Sequence, residues 1–106
     1  MVPAVVLMYV TGAAAAVGDI TTFDDPNGNI ARPVGITAGP DGNLWFTSFG
    51  NGRVGFITPD GEITTFTDPG GNVERPIGIT AGHDGNVWFT SRDTNRIGAS
   101  PPTERS

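Results

Sequence analysis

Apolar residues along this chain come in short runs, and each run is closed by a glycine-bearing turn signal. The first run is Pro33–Ala38 (PVGITA), followed by Gly39-Pro40-Asp41-Gly42. An Asp-Gly pair between apolar runs is a strong hairpin signal. Asn43–Ser48 (NLWFTS) comes next, then a turn at Asn51-Gly52, a third run at Arg53–Thr58, a turn at Asp60-Gly61 and a fourth run at Glu62–Thr67. The series then restarts with Pro76–Ala81, a turn at Asp84-Gly85, Asn86–Ser91 and Arg96–Ser100. Runs of this length joined by such turns predict antiparallel meanders, with no helix of consequence. Leu44-Trp45-Phe46 and Val87-Trp88-Phe89 are continuously apolar. A half-exposed sheet would alternate instead, so these strands are expected to be covered on both faces. Trp45 and Trp88 are the expected anchors between sheets.

The series is a true repeat. ITTFDDPNGNIARPVGITAGPDGNLWFTS opens at Ile20 and ITTFTDPGGNVERPIGITAGHDGNVWFTS opens at Ile63, 43 residues later and without a gap. A period in the forties built from short strands is the signature of a propeller blade. One blade cannot bury its own faces and must stack against neighbours. The expected fold class is therefore all-β: a β-propeller of four-stranded antiparallel blades, with two blades' worth of strands in this chain. Residues 1–18 form a non-repeat apolar segment, 19–100 the two-blade module and 101–106 a tail. After Arg96–Ser100 the fourth strand is missing, and Pro101-Pro102 stands where its turn would be. A matching fourth strand occurs at the other end, as Asp19–Phe23 (DITTF), and is expected to complete the last blade. Two blades per chain close a ring only in multiples. Self-association into a trimer of six blades or a tetramer of eight fits, as do missing blades of a longer chain.

The stretch Val2–Val17 (VPAVVLMYVTGAAAAV) does not match the repeat. Its apolar run falls short of the ~20 residues that span a bilayer. It has a signal-like apolar core followed by small residues but lacks a positive leading region. Two readings stay open: a secretory signal, or a degenerate strand of a preceding blade. Gly12 falls in register with Gly55 and Gly98, in keeping with the second. The compartment stays open between cytoplasm and export.

Composition narrows the function classes. The 106 residues fit one ordinary domain. A net charge of −5, with six arginines and no lysine, leaves no basic patch for nucleic acid. The absence of cysteine removes disulfide and thiolate chemistry. Neither a nucleic-acid nor a membrane partner is expected. No phosphate loop, nucleophile elbow or zinc spacing is present.

Candidate chemistry is sparse. His83 is the single histidine and replaces Pro40 of the other copy, in a Gly-x-Asp-Gly turn. A general base needs an oriented partner and a cleft, and an exposed turn supplies neither. The linkers Asp24–Arg32 and Thr67–Arg75 join each fourth strand to the next blade and are expected at a central mouth. Asp25, Asn29 and Arg32 recur there as Asp68, Asn72 and Arg75, and Arg53 recurs as Arg96. These eight are the candidate ligand-binding residues, since repeated arginines can capture an acidic group. Asp and Asn also build turns by bonding their own backbone. Turn-making is favoured over a calcium loop, because too few carboxylates converge. For the arginines, surface pairing with Asp25, Asp68 or Glu74 is the competing expectation. No residue is assigned as catalytic or as a metal ligand.

The motif RPxGITAGPDGNLWFT, a short loop and RVGFITPDGEITTF occurs as Arg32–Thr47 and Arg53–Phe66, and again as Arg75–Thr90 with a truncated tail. It resembles the streptogramin lyase family, the virginiamycin B lyase-like proteins, over roughly Asp19 to Ser100. The resemblance implies a seven-bladed propeller. It implies elimination chemistry that opens the ester-closed ring of streptogramin B antibiotics, with Mg²⁺, a histidine base and acidic metal-holding groups. The blades of such lyases commonly carry His beside Pro in the first strand and an acid ending the second. Here those seats hold Val34 and Ile77, and Ser48 and Ser91. No cofactor is expected for this chain, with Mg²⁺ relevant only if lyase activity is retained. The expected function is a partial lyase-like module that assembles or binds without catalysis of its own. The alternative is a lyase completed by oligomerisation or by missing blades.

Overall fold

The apolar runs form strands where the pattern places them. This computed structural model describes residues 16–102. Strands β1 (Pro33–Ala38), β2 (Leu44–Ser48), β3 (Arg53–Ile57) and β4 (Ile63–Phe66) pair in that order as one antiparallel sheet. Strands β5 (Pro76–Ala81), β6 (Val87–Ser91) and β7 (Arg96–Ser100) form a second sheet in the order β5-β6-β7. A 3₁₀ turn at Phe49–Asn51 follows β2. Each sheet is a blade, and the second has three strands.

One repeated device shapes the first hairpin of each blade. Gly42 and Gly85 adopt left-handed φ values of 85° and 84°, which the turn requires and glycine supplies without strain. The Asp41 carboxylate accepts the Trp45 indole N–H at 3.2 Å and the Asn43 backbone N–H at 3.1 Å. Asp84 does the same for Trp88 at 3.0 Å and Asn86 at 3.1 Å. The indoles lie against Gly39 and Gly82, where any Cβ would collide with the ring. The motif Gly-x-Asp-Gly-Asn-x-Trp therefore fixes the turn and aims the tryptophan together.

Alternation along the strands gives each blade two faces. Trp45, Thr47, Val54 and Phe56 point to one side of the first blade, while Leu44, Phe46 and Ser48 point to the other. The tryptophan face of the first blade packs on the phenylalanine face of the second, forming a core of Trp45, Val54, Val87 and Phe89. Phe56 and Phe66 complete an aromatic group around Trp45, with Phe66 stacked on it at 6.1 Å. At the seam the Thr47 hydroxyl accepts the Gly35 N–H at 2.9 Å and donates to the Ile77 carbonyl at 3.0 Å.

The seam covers one face of each blade and leaves large apolar side chains exposed on the other, although Phe46 and Ser48 on the first blade's outer face are buried. Trp45 is 1% exposed but its counterpart Trp88 is 38% exposed. Val54 is 5% exposed and its counterpart Ile97 72%, whereas Val87 is 0% exposed and its counterpart Leu44 46%. The expectation that both tryptophans are core therefore holds for Trp45 and is corrected for Trp88. Likewise β2 is buried on both sides along Trp45–Ser48, but β6 alternates. All three pairs are apolar at equivalent repeat positions, and Trp45 and Trp88 are identical; what differs is whether a neighbouring blade covers them.

Asp19–Phe23 also departs from expectation. It is neither a strand nor paired with β7. The linker that follows it leads into β1 of the first sheet, so it sits beside the first blade. Its Phe23 ring lies on Gly61, in the turn between β3 and β4. The apolar segment Val2–Val17, apart from Ala16 and Val17, lies outside the described residues, as does Gly12. The same holds for the tail beyond Pro102.

Trp45→Ala should cost about 3–5 kcal/mol, as large truncations in packed cores do. Trp88→Ala should cost less than half as much at concentrations where the chain is monomeric. Urea unfolding of the two variants checks this, and equal losses would contradict the asymmetric seam.

Candidate functional site

The two linkers are built by their own aspartates. Asp25 accepts the Ile30 N–H at 2.7 Å, and Asp68 accepts the Gly70 and Asn72 N–H groups at 3.1 and 3.0 Å. These bonds, that from Gly70 first, hold the Asp68 carboxyl below the usual aspartate value. Arg96 adds a smaller electrostatic pull in the same direction. Both carboxylates are thus engaged in shaping loops, as Asp and Asn do in turns.

Each linker ends on a strained arginine. Arg32 and Arg75 have φ values of 51° and 53°, a left-handed conformation that costs a non-glycine residue roughly 1–3 kcal/mol. Buried serines hold the strain in place. Ser48 Oγ accepts the Ala31 N–H at 2.8 Å and lies 3.2 Å from the Ala31 carbonyl and 2.6 Å from Asn51 Oδ1. Ser91 Oγ accepts the Glu74 N–H at 2.9 Å and contacts the Glu74 carbonyl and Thr94 Oγ1. Asn51 and Thr94 then bond the carbonyls of Asn29 and Asn72. Sequence reasoning treated Ser48 and Ser91 only as seats lacking an acid. Their exact recurrence at the end of β2 and β6 was the available signal for a structural role.

The eight candidate residues do not share one mouth. Asp68, Asn72 and Arg96 line a cleft of 410 Å³, together with Val54, Phe66, Phe89 and the length of β7. Asp25 lines a different hollow of 330 Å³, with Asp24, Gly61 and Glu62. Arg53 donates to Thr65 Oγ1 at 3.1 Å, and its Nε is buried without a partner. Arg75 pairs with Asp93 at 2.7 Å and lies 5.9 Å over the Phe49 ring. The expected pairing of arginines with Asp25, Asp68 or Glu74 is therefore corrected for Arg75. Asp93 has no equivalent charge in the first copy, where Gly50 occupies its place, so the repeat carried no hint of it. Arg32 is exposed, and Asn29 contributes its carbonyl to Asn51.

Among the described residues no three His, Cys, Asp or Glu side chains gather to hold a metal. Asp25 and Asp68 are occupied by loop N–H groups. His83 sits in an exposed turn. Val34 and Ile77 offer no proton-accepting side chain, although the Ile77 carbonyl receives Thr47 at the seam. The cleft mixes apolar side chains such as Val54, Phe66 and Phe89 with polar ones, the Asp68 carboxylate and the Arg96 guanidinium among them.

Stacked four-stranded repeats of this kind define a β-propeller. The chain belongs to the virginiamycin B lyase family, which it matches over residues 9–105. It is similar to a catalytically inactive histidine-to-alanine variant of virginiamycin B lyase from Staphylococcus aureus, in a crystal structure with quinupristin. The TM-score is 0.61 at 40% identity, over 84% of this chain and 33% of that one. Selenomethionine-substituted virginiamycin B lyase from Staphylococcus aureus gives a TM-score of 0.61 at 39% identity, over 83% and 32%. A streptogramin B lyase structure gives 0.57 at 36%, over 78% and 30%. The chain spans about a third of the length of these lyases. No curated protein sequence matches it.

Two outcomes test the site's construction. Ser48→Ala should cost about 1–3 kcal/mol, because it strips partners from part-buried backbone groups. Chemical unfolding reads this directly. The Asp84 carboxyl is held below its usual value, first by the Trp88 indole and then by the Asn86 N–H. Its folded pKa lies below its unfolded one, so its stabilising effect is full above the ordinary aspartate value and fades as pH falls through the lowered one. Trp88 emission, read in a Trp45→Phe background, should stay constant down to the ordinary aspartate range and change only below it. Asp84→Asn should abolish that acid transition.

Proposed function

We propose that the chain is a two-blade propeller module of the virginiamycin B lyase family that assembles and binds rather than catalyses by itself. One observation carries this reading. The seats where the family resemblance places base and acid hold Val34 and Ile77, and buried serines that clamp the linkers. Assembly is supported by the two open blade faces, which match the two faces already joined at the seam. A contact of one face with a different face is head-to-tail, and such contacts propagate until a ring closes. With two blades per copy, closure at three copies gives six blades and at four gives eight.

A second reading is a streptogramin B lyase completed by oligomerisation or by further blades. It is favoured by the 40% identity to virginiamycin B lyase over a third of that enzyme's length.

Incubation of the chain with quinupristin and Mg²⁺, followed by mass spectrometry of the antibiotic, separates the two. The module reading expects intact quinupristin together with a discrete oligomer in light scattering. Ring-opened quinupristin would overturn it in favour of the lyase, and a monomer at every concentration would overturn assembly.

A further inference from the structure

The seam between the two blades also sets where a fourth strand must lie. In the first blade β4 pairs with β3, and the linker Thr67–Arg75 then carries the chain to β5 of the next blade. In the second blade β7 has β6 on one side and no strand on the other among the described residues. Such an edge presents unpaired N–H and C=O groups and accepts an added strand. The chain also holds a spare copy of the strand that belongs there. Residues 20–23 repeat the ITTF of β4 with the same 43-residue offset. They are exposed and unpaired, with Ile20 87% and Phe23 53% exposed.

We propose that a second copy of this chain lays its Asp19–Phe23 segment along the open edge of β7 as the first copy's eighth strand. The inference rests on the assembling-module reading and adds the joint through which copies meet. The linkers argue for a second copy. Asp24–Arg32 and Thr67–Arg75 have the same length, the same backbone turn from Asp25 to Gly28 and from Asp68 to Gly71, and the same serine clamp. Repeating the seam between copies therefore puts the second copy's β1 beside β5 of the first. The linker then delivers Asp19–Phe23 to β7 as Thr67–Arg75 relates β4 to β5.

The β3–β4 register fixes the pairs. Val54↔Phe66, Gly55↔Thr65, Phe56↔Thr64 and Ile57↔Ile63 translate to Ile97↔Phe23, Gly98↔Thr22, Ala99↔Thr21 and Ser100↔Ile20. Each pair meets a present vacancy. Phe23 covers Trp88 as Phe66 covers Trp45. The Thr22 hydroxyl meets Arg96 as Thr65 meets Arg53. Ile20 and Thr22 face the cleft lined by Phe66, Gly98 and Ser100. In the same step the Thr90 hydroxyl, which already accepts the Gly78 N–H at 2.9 Å, reaches the Val34 carbonyl of the second copy as Thr47 reaches Ile77.

The chain has no cysteine, so single cysteines report the register cleanly. Opposed Cα atoms in antiparallel strands lie within disulfide range. Thr21→Cys and Ala99→Cys proteins, one carrying a mass tag, are mixed and oxidised. The expected product is the mixed disulfide. It should be lost when Thr22→Cys replaces Thr21→Cys, because a one-residue slip turns the side chain to the other face. Phe23→Ala, with unchanged sheet circular dichroism, should also shift the light-scattering mass to monomer. A monomeric wild-type chain overturns both this joint and the module reading. A stable oligomer with no preference for Thr21 over Thr22, or one that survives Phe23→Ala, overturns strand exchange alone. An intramolecular disulfide in a monomeric double variant overturns it in favour of each chain closing on itself.

Discussion

The structure depends on one hydroxyl at the seam between blades. Thr47 is fully buried and links the Gly35 N–H to the Ile77 carbonyl, so main chain meets main chain through a single oxygen. Gly35 makes the approach possible, since a Cβ there would stand 2.5 Å from that carbonyl. A buried N–H or carbonyl left without a partner is costly, so this bridge sets the distance and the direction of stacking. Around it Trp45, Val54, Val87 and Phe89 exclude water. The seam joins unlike faces, so each blade necessarily presents one satisfied and one unsatisfied surface.

That asymmetry explains what was legible in the sequence. Strand positions, turn positions and the period could be read because they are local: Asp-Gly turns, short apolar runs and the Gly-x-Asp-Gly-Asn-x-Trp device act within a few residues. Trp45 and Trp88 share that local setting, yet one is buried and the other is not. Burial here is a relation between blades, and sequence similarity cannot say which copy has a neighbour. The same holds for Asp19–Phe23. Its pattern is that of β4, but a strand exists only against an edge, and the edge it matches lies in the other sheet.

The candidate site was legible in part. The turn-building role of Asp25 and Asp68 follows from residue type. Arg75 instead turned to Asp93, a charge that only the second copy possesses. Ser48 and Ser91 show how a repeat can be read too narrowly. In the fold they are clamps, each satisfying both the N–H and the carbonyl of one linker residue. The linkers they hold each end on a left-handed arginine.

Repeat arrays gain stability from each unit and from each contact between neighbours. Two blades standing alone share a single seam, while a closed ring has as many seams as blades. Closure therefore doubles the number of seams per two-blade chain and pairs the edge of β7 as well. The apolar surface left on Trp88, Ile97, Ile36 and Leu44 is the surface such a second seam would remove from water. Burial of that surface acts in the same direction as pairing of the strand edge, because the linker Asp24–Arg32 couples the two. A blade cannot dock without presenting its strand, and the strand cannot pair without bringing its blade. If copies of the module join as proposed, face and edge should therefore form in one cooperative step.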